Sequence, residues 1–239
     1  MVSISQSHYN CLMQNTIEGV AFDLDGTLYP NYRLNIRLVP LILKELRLVA
    51  AFGKARDILH REPETTCPPP DFYERQAALV AEILGARPEV VKEKIERRIY
   101  RAWEPLFKAI KPFRHAAETL AALKTAGFKL GIMSDFPPGI KLEHLGLSGF
   151  WDAELCSEHC GMLKPHPLPF RELAAAMALP PEKILYAGNS RSYDIAGAHR
   201  AGMKTAWIKS PFFPGKGRKL PLPDFAFSDY RQLRDFMLN

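Results

Sequence analysis

The sequence predicts an α/β fold: a doubly wound parallel sheet with a smaller all-helical unit inserted into it. Three observations carry that reading. Four short runs are apolar almost from end to end, and each leads into a polar or glycine- and proline-rich turn. Helical patterns lie between successive runs, and one long stretch is helical throughout. Continuous rather than alternating hydrophobicity suits strands covered on both faces. Strand–helix alternation implies right-handed βαβ crossovers into one parallel sheet.

In chain order, the first strand run is GVAFD at 19–23. From 32 to 107 the pattern is helical. Leu34, Leu38, Ile42, Leu46 and Val49 recur at helical spacing, with Pro40 expected to start or kink a helix there. TTCPPP at 65–70 separates this helix from the next. Val91, Ile95, Ile99, Ala102 and Leu106 recur likewise, behind a Pro88 suited to a first helical turn. These apolar stripes are expected to form the insertion's own core. The alternation then resumes with a helix over 115–126 carrying Leu120 and Leu123 and closed by Gly127, and a strand run FKLGIMSD at 128–135. A helix over 167–178 leads to the run ILYAGNS at 184–190, and a helix over 193–201, closed by Gly202, leads to TAWIKS at 205–210. FAF at 225–227 reads as a last strand and 229–238 as a closing helix. The domain reading is therefore a core of residues 1–31 and 108–239 interrupted by a helical cap of 32–107.

Bulk properties agree with one core plus an accessory unit. The chain has 239 residues, 47% hydrophobic and 24% charged, which is ordinary globular composition. Its net charge of +6 is spread along the chain without a long Lys/Arg block, so a phosphate-bearing ligand suits it and nucleic acid is not expected. Four cysteines, at 11, 67, 156 and 160, are too few for a disulfide framework and read as reduced thiols. Cys156 and Cys160, with His159 between them, lack the second ligand pair of a structural zinc site and read as a loop with two thiols. The N-terminal segment has no charged-then-apolar leader pattern, and no apolar run approaches membrane-spanning length. The expectation is a soluble, cytoplasmic protein without a membrane partner.

Chemistry concentrates at the strand ends. The first strand runs into FDLDGTLY, where Asp23 and Asp25 are two residues apart, so an extended segment aims both carboxylates the same way. Gly26 then permits a tight turn. Carboxylates held side by side repel unless a cation or a shared proton offsets them. The next strand run ends in Ser134-Asp135, and GMLKPHP holds Lys164 on a proline-rich loop. The run ending in GNSRSYD sets Asn189 and Asp194 five residues apart across a turn. Ser134 and Asn189 alone would pass for turn residues and Lys164 for a solvated charge. Open parallel sheets bind ligands beyond the carboxyl ends of their strands, so the four segments are expected to share one crevice.

Taken together, DLDGTLY from Asp23, MSD around Ser134, LKP around Lys164 and GNSRSYD ending at Asp194 resemble the ordered motifs of the haloacid dehalogenase-like (HAD) hydrolase superfamily, in its phosphatase branch. The helical insertion falls between the first two motifs, where one subgroup carries its cap, and the likeness spans nearly the whole chain after the first dozen or so residues. The resemblance implies a Rossmann-like core and a Mg²⁺-dependent phosphatase of a small soluble phosphate monoester. Asp23 would be the nucleophile that forms an aspartyl-phosphate, and Asp25 the general acid and then base. Ser134, Asp135 and Lys164 would bind the phosphoryl group, Lys164 also stabilising the nucleophile. Asp23, the main-chain oxygen of Asp25, Asp194 and Asn189 would hold the metal.

One position departs from the pattern: the fourth motif usually begins Gly-Asp, and here it is Gly188-Asn189, a neutral ligand or a turn-forming amide. Other readings are a phosphomutase or dehalogenase of the same superfamily and a non-catalytic relic. Asp25 and Asp194 speak against a dehalogenase, while Asn189 is the feature that favours a relic. Tyr29, Phe136 and Trp103 are candidate pocket residues as well as packing residues. Arg97, Arg98 and Arg101 would either reach a second anionic group or form a solvated helix face.

Overall fold

The computed structural model describes residues 16–209 and 220–239. The segment read as lacking a leader, Cys11 within it, and Ser210 at the end of the fourth apolar run lie outside the described residues. Six strands, β1 (Gly19–Asp23), β2 (Lys129–Ser134), β3 (Ala153–Cys156), β4 (Ile184–Gly188), β5 (Lys204–Ile208) and β6 (Phe225–Phe227), form one sheet in the order β3-β2-β1-β4-β5-β6. Every neighbouring pair is parallel. β1 is central and buried along its length, with Phe22 opposite Ile132 of β2 and Ala187 of β4. The order reverses at β1, which opens a crevice at the carboxyl ends of β1 and β4.

Alternate residues of β1 feed two apolar layers, as the period of a strand requires. Val20 and Phe22 pack with Leu120, Leu123, Tyr230 and Leu233 on one face, and Ala21 packs with Met133, Phe170, Leu173 and Tyr186 on the other. The expected core helices are present. The helix after the insertion is Ala116–Thr125, and Pro167–Ala176 precedes β4. Ala196–Arg200, entered through a π-helical turn at Arg191–Ile195, precedes β5, and Tyr230–Leu238 closes the chain with Asp229 as its cap.

Two features differ from the sequence reading. Cys156 ends a strand, β3, and does not lie in a loop. This is a sheet edge of four residues in which Glu154 is exposed between better-buried neighbours, so it carries no continuous apolar signal. In the insertion, the stripe from Leu34 to Val49 is not one helix. It is divided at Glu45 (φ −120°) into α1 (Asn31–Lys44), which contains Pro40, and α2 (Leu46–Leu59). The break resets the helical phase. Leu34 and Leu38 therefore join the main core together with Phe107, and Leu46 faces solvent. The insertion's own core is built by Leu48, Phe52 and Ala55 of α2, Ala77 and Val80 of α3 (Phe72–Leu84), and Val91 and Ile95 of α4 (Pro88–Ile95), with Ile99 beyond.

Candidate active site

Asp23 stands at the carboxyl end of the central strand, almost fully buried. Lys164 Nζ donates to its Oδ1 at 2.6 Å and Thr27 Oγ1 to its Oδ2 at 2.7 Å. The same ammonium donates to Asp194 Oδ1 at 2.8 Å, while Ser190 N–H donates to Asp194 Oδ2 at 2.8 Å. Asp194 sits in the π-helical turn after β4, and Gly188 lets it approach: a Cβ there would lie 2.3 Å from that of Asp194. Gly26 is required for a similar reason. Its φ is +93°, and a Cβ would lie 2.3 Å from Asn189 Nδ2. Burial, and then the charge of Asp194, push the Asp23 carboxyl up to about 7 against the pull of Lys164. Lys164 is held well above the ordinary lysine value: burial works against its charge, but Asp194 and Asp23 outweigh it.

Asp25 has its own ammonium. Lys141 Nζ lies 2.9 and 2.7 Å from its two oxygens, Ser134 Oγ donates at 2.7 Å, and the Tyr29 hydroxyl also donates to it. Burial raises the Asp25 carboxyl, but the charge and hydrogen bonds of Lys141, with those of Tyr29 and Ser134, hold it below the usual range. The expected repulsion between Asp23 and Asp25 is thus offset by two separate lysines. Lys141 lies on the helix Gly139–Leu145 that follows β2. Sequence reasoning missed it, because a lone lysine on a short helix reads as a solvated charge.

The other predicted residues fall around these pairs. Ser134 ends β2, and its Oγ also accepts from Phe136 N–H at 3.1 Å. Asp135 lines the crevice, but its carboxylate braces the loop that carries Lys164: it accepts from Ser157 Oγ at 2.5 Å and from Lys164 N–H at 3.3 Å. Asn189 also lines the crevice, beside Gly26, with its main-chain oxygen bound by Trp207 Nε1. Among the described residues no three His, Cys, Asp or Glu side chains are disposed to hold a metal ion. The available set is two carboxylates, Asp23 and Asp194, with the Asn189 amide and the main-chain oxygen of Asp25, which accepts from Asn31 Nδ2 at 3.1 Å. All are hard oxygen donors. Two buried carboxylates share one ammonium here, so the set fits a Mg²⁺-like cation.

Above these groups a cavity of about 610 Å³ opens between the strand ends and the helical insertion. Tyr29, Phe136 and Trp103 all line it. Arg97, Arg98 and Arg101 are not among its lining residues; Arg98 pairs with Glu45 and Arg101 with Glu96. One buried ion pair ties insertion to core. Arg56 of α2 donates to Glu158 just beyond β3, whose Oε1 also accepts from the Tyr100 hydroxyl at 2.8 Å, and the guanidinium lies 4.1 Å from the Phe136 ring centroid.

A parallel sheet with two lysine-paired aspartates at and just past the end of its central strand, covered by an inserted helical unit, defines a capped, Rossmann-like α/β architecture. The family model described as haloacid dehalogenase-like hydrolase matches residues 17–202, and the chain belongs to that family. It is 30% identical to a glyceraldehyde 3-phosphate phosphatase of Methanopyrus kandleri, across 92% of this chain and 96% of that one. It is 27% identical to a phosphoglycolate phosphatase of Salmonella paratyphi A, across 92% of each. Among solved structures, an L-2-haloacid dehalogenase superposes with a TM-score of 0.65 over 93% of this chain and 99% of its own, at 20% identity, a likeness of fold.

Proposed function

We propose that this chain is a Mg²⁺-dependent phosphatase that hydrolyses a small soluble phosphate monoester through an aspartyl-phosphate on Asp23. The observation that carries this reading is the pair of buried carboxylates, Asp23 and Asp194, sharing the single ammonium of Lys164 at the base of the cavity. Asp23 stands at the carboxyl end of the central strand with Oδ1 held by Lys164 and Oδ2 by Thr27, which fixes its carboxylate for attack on phosphorus. Its attack forms the aspartyl–phosphorus bond and breaks the ester P–O bond. Asp25 takes up a proton from solvent as the phosphate dianion enters and gives it to the leaving oxygen, and the water that later cleaves the aspartyl-phosphate supplies Asp25 with a new one. Lys164 and Ser134 supply donors to the phosphoryl oxygens as charge shifts onto them. A divalent cation held by Asp23, Asp194, Asn189 and the main-chain oxygen of Asp25 supplies the charge compensation that lets two anions meet.

The dehalogenase reading is weaker on this geometry. It gives no work to Asp25, whose carboxylate is gripped by Lys141, Ser134 and Tyr29, or to a second buried carboxylate at Asp194. The relatives named as phosphatases support the phosphatase branch. Phosphate release from phenyl phosphate by wild type and by Asp23→Asn, with and without Mg²⁺, tests the proposal. Mg²⁺-dependent release by wild type alone is expected. Equal release by both proteins would remove Asp23 from the chemistry.

A further inference from the structure

The wall facing the two aspartates is what a leaving group would meet, and it is mostly apolar, its uncharged polar groups being the amides of Asn31 and Asn35 and the hydroxyls of Tyr73 and Tyr193. Its apolar part is made by Leu34 and Leu38 of α1, Tyr100, Trp103 and Phe107 from the end of the insertion, and Phe136 from the core. Among the described residues, the lysines lining the cavity are Lys141 and Lys164, and no arginine lines it. Both ammonium groups are already engaged, Lys141 by Asp25 and Lys164 by Asp23 and Asp194. Arg56 lies behind the wall, held by Glu158 and stacked on Phe136. The remaining charged side chains on the insertion side of the cavity are acidic, Glu96 and Glu104. A substrate with a second anionic group would bring it to apolar side chains, to neutral amides and hydroxyls and to two carboxylates, with no described cation free to receive it. An ionised carboxylate desolvated without a partner is strongly disfavoured, whereas a ring gains from every apolar contact it makes there. A cavity of about 610 Å³ also leaves room for a ring beyond the phosphate.

We infer that the site takes phosphate monoesters whose leaving alcohol is uncharged, apolar and about the size of an aromatic ring, and that it rejects esters bearing a carboxylate. This separates the chain from its phosphoglycolate phosphatase relatives in substrate class, and it rests on the phosphatase reading above.

The test measures both binding and turnover on the full-length protein with Mg²⁺ present. Benzylphosphonate and 3-phosphonopropionate are non-hydrolysable stand-ins for phenyl phosphate and phosphoglycolate, and their dissociation constants are compared by calorimetry. Phosphate release is measured from the two esters themselves. Benzylphosphonate should bind at least about a hundredfold more tightly, equivalent to about 2.8 kcal/mol. The ratio of kcat/KM for phenyl phosphate over phosphoglycolate should be of the same order. Equal or tighter binding of 3-phosphonopropionate, or no binding of either phosphonate, overturns the inference. A retained preference for benzylphosphonate with no turnover of any ester would leave the pocket assignment standing and remove the phosphatase reading instead.

Discussion

Replacing Asp23 with asparagine should make the protein more stable at neutral pH while abolishing its chemistry. A carboxyl moved from 3.8 to about 7 by burial and by Asp194 opposes folding once it is ionised, by up to about 4 kcal/mol. Asp194 shares Lys164 with it and can carry part of that burden, so a gain of about 2 kcal/mol is expected from the neutral amide. The sign follows from proton counting. Between about pH 4 and pH 7 the folded wild type binds more protons at Asp23 than the unfolded chain does. This contribution is therefore present at the acid end and lost as pH rises through the folded value. Urea melts in chelator at pH 4.5 and pH 7.5 should show the advantage of Asp23→Asn growing with pH. A variant less stable than wild type at pH 7.5, or a difference independent of pH, would refute the charge balance derived for the site. Phosphatase turnover of the same variant should fall at least about a thousandfold, a loss of roughly 4 kcal/mol in transition-state stabilisation.

Other perturbations separate the remaining contacts. Chelation should abolish phosphate release and added Mg²⁺ should restore it; full activity in chelator would exclude the metal set proposed here. Arg56→Met should destabilise the protein by about 3–5 kcal/mol, because the side chain of Glu158 is fully buried and would lose its ion partner, and Arg56→Met/Glu158→Leu should recover most of that loss. A single variant within about 1 kcal/mol of wild type in urea melts would show that the pair does not lock insertion to core. Asn189→Asp adds a charge where a neutral oxygen lines the cavity, worth at least about 1 kcal/mol at a few ångströms, so the Mg²⁺ concentration for half-maximal rate should fall roughly fivefold. An unchanged or higher value would make Asn189 a turn residue.

How much of this was legible in the sequence depends on the range of the interaction. Strands buried on both faces announce themselves as apolar runs, so β1, β2, β4 and β5 are legible, and the ends of β1 and β2 carry Asp23 and Ser134, with Asn189 directly after β4. β3 escaped because an edge strand need be apolar on only part of its length. The division of the insertion's first helix escaped because Leu34 to Val49 keep helical spacing across Glu45, and only the φ of −120° there shows that the phase is reset. Gly26 was legible as a turn residue, while the close approach of Asn189 and Asn31 that also demands glycine was not.

The ion pairs were the least legible part, and the reason is physical. Asp25 and Lys141 are 116 residues apart, and Arg56 and Glu158 are 102 apart. Charged residues on helices normally signal solvent, since burying a lone charge costs far more than a helix can return. Here each is buried against a partner from a different element, so no local window contains the reason for its burial. The same pairings bind the insertion to the site's chemistry. His60 of α2, its ring pushed below the ordinary histidine value chiefly by burial, donates from Nδ1 to the main-chain oxygen of Lys164 at 2.5 Å, and Arg56 of the same helix donates to the main-chain oxygen of Asp135 at 3.4 Å. Asp135 in turn holds the Lys164 N–H. Displacing α2 would therefore disturb the loop that aims Lys164 at Asp23, so the position of the insertion and the charge beside Asp23 are set by one connected group of contacts.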